Sequence, residues 1–340
     1  MINKLVDSLQ KVICTATTTA VDSKVTNNDY FKRRVLGFKA EIEFEKAIEN
    51  YSGSSLRFVE GGQFISKNVS GDAGDKNFFL YSTMDFEAPD IYIEVYKKIA
   101  NWDEVGELLY VKILEEGWGT EVFKVTSNSG EKIDTNILTP KFIFYVFDKQ
   151  SLTFSEHATQ DFTIFLNHFD KVERNPSLYK LRGDDQFSYF KQYDIRTLMK
   201  IYATRYFIDY VLRQARNKYL IDLDGFILKD DQVVLVEIKE KTPITNDCEN
   251  DESKWQYGWD SRRLLWYLYL LNKIKLPVLY NVRQIKDREN REFKQWDSLF
   301  INEFLSGTSW NNSRSGGGGG DTLLAPYLYF HRLEDVLNNL

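Results

Sequence analysis

The stretch from Tyr219 to Pro243, YLIDLDGFILKDDQVVLVEIKEKTP, constrains the fold of this chain more than any other. Two strand-like runs, YLIDLDGFIL and QVVLVEIKEK, flank Lys229-Asp230-Asp231-Gln232. Apolar β-branched runs bounded by an Asp-rich turn read as a β-hairpin. With Asp230 and Asp231 at the turn centre, Asp224 falls opposite Glu237 and Asp222 opposite Lys239. Directly paired residues share a sheet face, with Cβ atoms ~4.5–5.5 Å apart. Three carboxylates and one ammonium therefore crowd one face at the end of an apolar hairpin. Such a face needs a cation between its acids, and a hard divalent ion with oxygen ligands suits that place. Val233 to Val236 shows no alternation, so this strand is expected to be buried on both faces. Glu-Ile-Lys at its end also suits an ordinary solvated terminus. Charges facing charges beyond a doubly buried run favour a site.

Asp224, followed thirteen residues later by Glu237-Ile238-Lys239, resembles the PD-(D/E)xK nuclease core, with Leu223 where that family carries proline. The strict resemblance covers about 25 residues, Tyr219 to Pro243. It implies an α/β (α+β) fold: a restriction-endonuclease-like mixed-sheet core flanked by helices, here with a strand-rich N-terminal region. It implies Asp224 and Glu237 as ligands of Mg²⁺, with Mn²⁺ as a substitute, and Lys239 as the group that orients or activates the attacking water. Asp222 is a supporting acid. Some branches carry Q-x-x-x-Y on the following helix; here Arg263 and Tyr267 have that spacing. Arg262 and Arg263 suit phosphate contacts, and equally suit a charged helix start. The activity implied is that of a type II site-specific deoxyribonuclease acting on double-stranded DNA, with a homodimer for palindromic sites. Other defence, transposition or repair nucleases share the core. A non-catalytic nucleic-acid-binding protein with a degenerate core is the alternative from another class.

Elsewhere the pattern is mixed. Residues Ile2, Leu5, Val6, Leu9, Val12 and Ile13 have helical spacing, as do Phe31, Val35, Phe38, Ile42 and Ala47. From Leu56 to Asp148 strand-like runs follow one another, among them FFLYSTM, DIYIEVY, ELLYVKILEE and KFIFYVFD. The only literal Pro-Asp, Pro89-Asp90, is a decoy, because Tyr110 stands two residues before Lys112 where an acid is required. A long helical run, TLMKIYATRYFIDYVLRQARNKY, leads into the hairpin. After it SRRLLWYLYLLNKIK reads as a helix and PVLYNVRQI as a strand. Strand–strand–helix–strand is the order the resemblance requires. The expected division is a recognition or dimerisation region over 1–187 and a catalytic domain over 188–340. The segment NNSRSGGGGGD has no Lys-Ser or Lys-Thr exit, which excludes a phosphate-cradling nucleotide loop there.

Composition bounds the alternatives. With 43% hydrophobic and 28% charged residues the chain is ordinary for a soluble protein, and no apolar run is long enough to span a membrane. Two distant cysteines, Cys14 and Cys248, suit a reducing, cytoplasmic setting. Three histidines without metal-ligand spacing argue against zinc. A net charge of −6 leaves nucleic-acid binding to a local basic cleft.

Overall fold

The computed structural model describes residues 1–15, 27–51, 56–68, 77–127, 131–160, 177–178, 189–212, 220–245, 247–287, 291–309, 311, 313–315 and 321–340. The Gly316–Gly320 run lies outside them. The fold is mixed α/β, in two compact units that are each discontinuous in sequence. The first comprises Met1–Phe38, Gly62–Tyr96 and Asp103–Ile221; the second comprises Lys39–Gly61, Lys97–Trp102 and Asp222–Leu340.

The first unit opens with α1 (Ile2–Thr15), whose Leu5, Val6, Leu9 and Val12 are buried, as their spacing requires. Helix α2 (Asn27–Glu49) begins here and ends in the second unit, and β1 (Arg57–Asn68) is divided between the two in the same way. Then come β2 (Asn77–Asp85), α3 (Ile93–Ala100), β3 (Val105–Ile113), β4 (Gly119–Ser127) and β5 (Lys132–Thr139). β6 (Phe142–Asp148), β7 (Thr153–Glu156), β8 (Ser177–Leu178) and α4 (Ile195–Arg205) complete it. The main sheet of this unit runs β1–β2–β3–β6–β7, and a small sheet runs β5–β4–β8.

The run DIYIEVY, expected as a strand, is helical. Pro89 opens a 3₁₀ turn over Pro89–Tyr92 that continues into α3. Tyr92, Val95, Tyr96 and Ile99 are all buried, which is a helical repeat, and proline favours a first helical turn. The β-branched isoleucines and valine concealed that period. Asp90 is exposed, and Tyr110 donates its hydroxyl to the Glu87 carbonyl at 2.6 Å, so the decoy holds no acid pair.

The second unit carries the hairpin. β9 (Leu220–Lys229) and β10 (Gln232–Lys241) pair antiparallel from Gln232↔Lys229 to Val236↔Gly225, the register read from the sequence. Asp230 turns the chain with φ +51°, a left-handed conformation that aspartate tolerates. The short β11 (Gln256–Asp260) leads into α5 (Ser261–Ile274), which crosses over so that β12 (Val278–Ile285) lies parallel to β10. β13 (Phe293–Phe300), α6 (Ile301–Gly307), β14 (Ser313–Ser315), β15 (Asp321–Pro326), β16 (His331–Arg332) and α7 (Leu333–Asn338) follow. Residues 57–61 of β1 lie beside β9, and the order continues β9–β10–β12–β13–β16. The expected strand–strand–helix–strand order is present.

Both faces of this sheet are covered, which is why Val233 to Ile238 are buried without alternation. On one face Val234, Val236, Ile238, Ile227 and Leu279 pack with Ala40, Phe44 and Ile48 of α2 and with Leu333, Val336 and Leu337 of α7. Arg283, 3% exposed, pins α2 there: it pairs with Glu43 at 2.5 Å and with Glu240 at 2.8 Å. The other face belongs to α5, whose Leu264, Tyr267, Leu270 and Ile274 are buried. The expected boundary at 187/188 therefore differs from the compact units. The helix and strand that finish the second core come from residues 39–61, and α4 belongs to the first unit. Among the described residues no helix is long and apolar enough to cross a membrane.

Candidate active site

Alternation along β9 places Asp224 on the face of Phe226, the partner of Leu235, and alternation along β10 places Glu237 on that same face. The last register pair is Val236↔Gly225; one residue further on, the Asp224 side chain takes over from the backbone. Its Oδ2 accepts the Ile238 N–H at 2.7 Å. The two acids are thus opposed, as the sequence requires, while the ladder itself gives way to a side chain.

Lys239, two residues beyond Glu237, places Nζ 2.7 Å from Glu237 Oε1 and 3.4 Å from Asp224 Oδ2. Arg263 enters from the first turn of α5. Asp260 caps that helix by accepting the Arg263 N–H at 3.1 Å, which fixes where the guanidinium departs. Arg263 Nη2 lies 2.9 Å from Asp224 Oδ1 and 2.9 Å from Glu237 Oε2, and Nε reaches both Glu237 oxygens at 3.1 and 3.0 Å. One turn on, Tyr267 donates its hydroxyl to Glu237 Oε2 at 2.6 Å. The Arg263–Tyr267 spacing therefore has a physical meaning: both side chains hold one carboxylate. Arg262, its neighbour, is exposed.

The result is a quartet of two acids and two bases in which every carboxylate oxygen is bonded. Asp224 and Glu237 are 6% and 0% exposed, and such burial is tolerable only with cationic partners. Burial, reinforced by the neighbouring Glu237 carboxylate, pushes Asp224 up to about 6 against the pull of Lys239 and Arg263. Burial would also raise Glu237, but Arg263 and Lys239 outweigh it and hold that carboxyl down to about 2. The pair is thereby split into an acid that remains charged and one that takes up a proton more readily.

Asp222 does not hold the Lys239 ammonium, which goes to Glu237 and Asp224 instead. It is partly buried, and its charge adds to the upward shift of Asp224. The reason is the end of the ladder: beyond Gly225 the strands no longer pair residue for residue, so the register cannot be extended to Asp222 and Lys239.

Among the described residues no cluster of three or more His, Cys, Asp or Glu side chains is placed to hold a metal ion. The two carboxylates nonetheless converge on one nitrogen, Arg263 Nη2, and so define a point that attracts positive charge. Hard oxygen donors at such a point fit Mg²⁺, which takes one or two carboxylates and completes its shell with water and phosphate oxygens. An ion at that point would require the guanidinium to withdraw.

Lys241 was not singled out by the sequence reading, although its spacing from Lys239 places it on the same face. Comparison with protein-family models, curated proteins and solved structures gave no match.

Proposed function

We propose that the second unit is the catalytic centre of a Mg²⁺-dependent endonuclease that hydrolyses phosphodiester bonds in double-stranded DNA. The observation that carries this reading is the convergence of Asp224, Glu237 and Lys239 on one sheet face, with both acids directed at a single cationic atom. Asp224 and Glu237 would hold the ion, which when bound supplies neutralisation of the phosphoryl charge and a more acidic water. Tyr267 fixes the plane of Glu237 through Oε2. Lys239 presents a partly exposed ammonium beside the acids, where it can donate to an attacking water or to charge developing on a phosphoryl oxygen. Arg263, once released from the carboxylates, is a bidentate donor for phosphate at the start of α5. Within this class a type II restriction enzyme acting as a homodimer is the favoured role, with defence, transposition and repair nucleases as its competitors.

One observation favours a second reading. Arg263 and Lys239 already neutralise both acids, as in a degenerate core that binds nucleic acid without cutting it. Incubating mixed plasmid and phage DNA with the protein in Mg²⁺, in EDTA, and with Asp224→Ala separates the two. Discrete fragments lost in EDTA and in the variant support a site-specific nuclease, and a smear lost in the same way supports a nuclease of another role. Intact DNA that is nevertheless bound supports the second reading.

A further inference from the structure

Arg263 fills the point on which the two acids converge, yet the acids do not depend on it for their positions. Without it Glu237 keeps a donor on each oxygen: Lys239 Nζ at 2.7 Å on Oε1 and the Tyr267 hydroxyl at 2.6 Å on Oε2. Asp224 Oδ2 keeps the Ile238 N–H at 2.7 Å and Lys239 Nζ at 3.4 Å. Only Asp224 Oδ1 would lose its donor, Arg263 Nη2 at 2.9 Å. Withdrawal of the guanidinium therefore leaves both carboxylates held in place, with one buried oxygen that calls for another cation at the same point. The guanidinium is also placed to leave. Its Nε and Nη2 hold the acids, while Nη1 bonds to no described residue, and the side chain is 25% exposed against 6% and 0% for Asp224 and Glu237. The backbone of Arg263 is fixed by the Asp260 cap at 3.1 Å, so release needs only rotation of the side chain.

Charge makes the guanidinium and a metal ion exclusive. The two acids and two bases of the quartet balance, so a divalent ion added to all four would leave two uncompensated positive charges in a buried site. With the guanidinium turned away the same ion leaves one, and a phosphodiester supplies the matching negative charge. We propose that Arg263 is a removable plug: it keeps Mg²⁺ out of the Asp224–Glu237 pair until a phosphate takes the guanidinium, so that metal and DNA bind cooperatively. That the phosphate belongs to DNA rests on the nuclease reading; the exclusion of the ion rests on the geometry of the four side chains. By linkage the coupling is reciprocal, and whatever factor DNA adds to ion affinity, the ion adds to DNA affinity.

The test has two arms, both on the full chain. In the first, Mn²⁺ is titrated into wild type, Arg263→Gln, and Arg263→Gln combined with Asp224→Asn, the free ion being counted by its paramagnetic resonance and folding checked by circular dichroism. Binding about tenfold or more tighter in Arg263→Gln than in wild type, and lost in the double variant, is expected. Equal binding by wild type and Arg263→Gln, or a tightening that survives in the double variant, overturns the plug. The second arm decides even where Arg263→Gln fails the folding check. Mn²⁺ is titrated into wild type with and without a duplex of 3′-methylene phosphonate linkages, which carry the phosphate charge and resist hydrolysis. Bound duplex should raise the ion affinity of wild type about tenfold or more, and that of folded Arg263→Gln by a smaller factor, because no guanidinium has to move. An ion affinity that bound duplex leaves unchanged in wild type, or raises equally in both proteins, overturns the coupling. DNA cleavage by a wild type that binds Mn²⁺ as tightly as Arg263→Gln removes the plug and leaves the nuclease standing. Tightening in Arg263→Gln in a chain that neither binds nor cuts DNA removes the nuclease and leaves Arg263 as the plug of a metal site.

Discussion

Arg263 is the residue on which the chemistry of the site turns, because it occupies the place between two acids that a metal ion would take. Arg263→Gln leaves two buried carboxylates with Lys239 as their only cationic partner among the described residues. The folded state is then expected to lose roughly 3–5 kcal/mol, the usual cost of breaking a buried pair from one side. Added Mg²⁺ should recover part of that loss by binding the native state, seen in calorimetry as a larger rise in Tm for the variant than for wild type. No Mg²⁺-dependent rise in the variant would contradict ion binding between the acids. Lys241 makes a prediction of the opposite kind. Its pKa falls to about 8 in the folded protein, below the unfolded value near ~10.4, so between these values the unfolded chain holds more protons. Stability contributed by this residue is lowest below pH 8 and rises through that window. The gain in stability of Lys241→Met over wild type should therefore shrink from pH 7 to pH 10, as chemical denaturation at each pH will show. Asp224, Glu237 and Lys239 were legible because a hairpin register is fixed by its turn. Arg263 was legible only as a spacing, since its reach depends on how α5 crosses the sheet. Asp222 acts on Asp224 through its charge, and the Lys239 ammonium goes to Glu237 and Asp224, because the paired ladder ends at Gly225.

At the scale of elements, the acids depend on how closely β1 approaches β9. A Cβ at Gly61 would run into the Leu223 carbonyl, and one at Gly225 into the Phe58 ring. Both positions flank Asp224. Gly225→Ala is expected to cost roughly 1–3 kcal/mol, in keeping with overpacking of a filled core, and to lower cleavage through displacement of Asp224. Retained Tm and retained activity in that variant would show that Phe58 can turn aside. On the opposite face, Arg283→Met deprives Glu43 and Glu240 of their shared partner, and roughly 3–5 kcal/mol should be lost in denaturant unfolding, less whatever Arg291 recovers through its own bond to Glu240 at 2.6 Å. Secondary structure was legible where one period dominates, as in α1, the hairpin and the all-buried β12. It failed at DIYIEVY, where β-branched residues and tyrosines suit a strand and only the spacing of 92, 95, 96 and 99 reveals the helix.

At the scale of the whole molecule, the order of antiparallel pair, crossover helix, parallel strand and antiparallel strand occurs twice. It runs through β1, β2, α3, β3 and β6, and again through β9, β10, α5, β12 and β13. Only the second carries the acid pair. Its core is completed from residues 39–61, so a fragment of 188–340 would expose Ile227, Val234, Val236 and Leu279 where Phe44, Ile48 and Phe58 pack. That fragment should show no cooperative thermal transition; a sharp one would contradict the shared core. Sequence reading placed the boundary at 187/188 because composition changes locally, whereas a discontinuous unit is defined by contacts between distant segments that no local pattern records. The most direct measurement is conversion of supercoiled plasmid by wild type, Asp224→Ala and Glu237→Gln, each in Mg²⁺ and in EDTA. Linear or nicked product from wild type in Mg²⁺ alone, absent in both variants, is the expected result. Cleavage that persists in folded Asp224→Ala or in EDTA, or none by wild type with either Mg²⁺ or Mn²⁺, would contradict a nuclease centred on these acids.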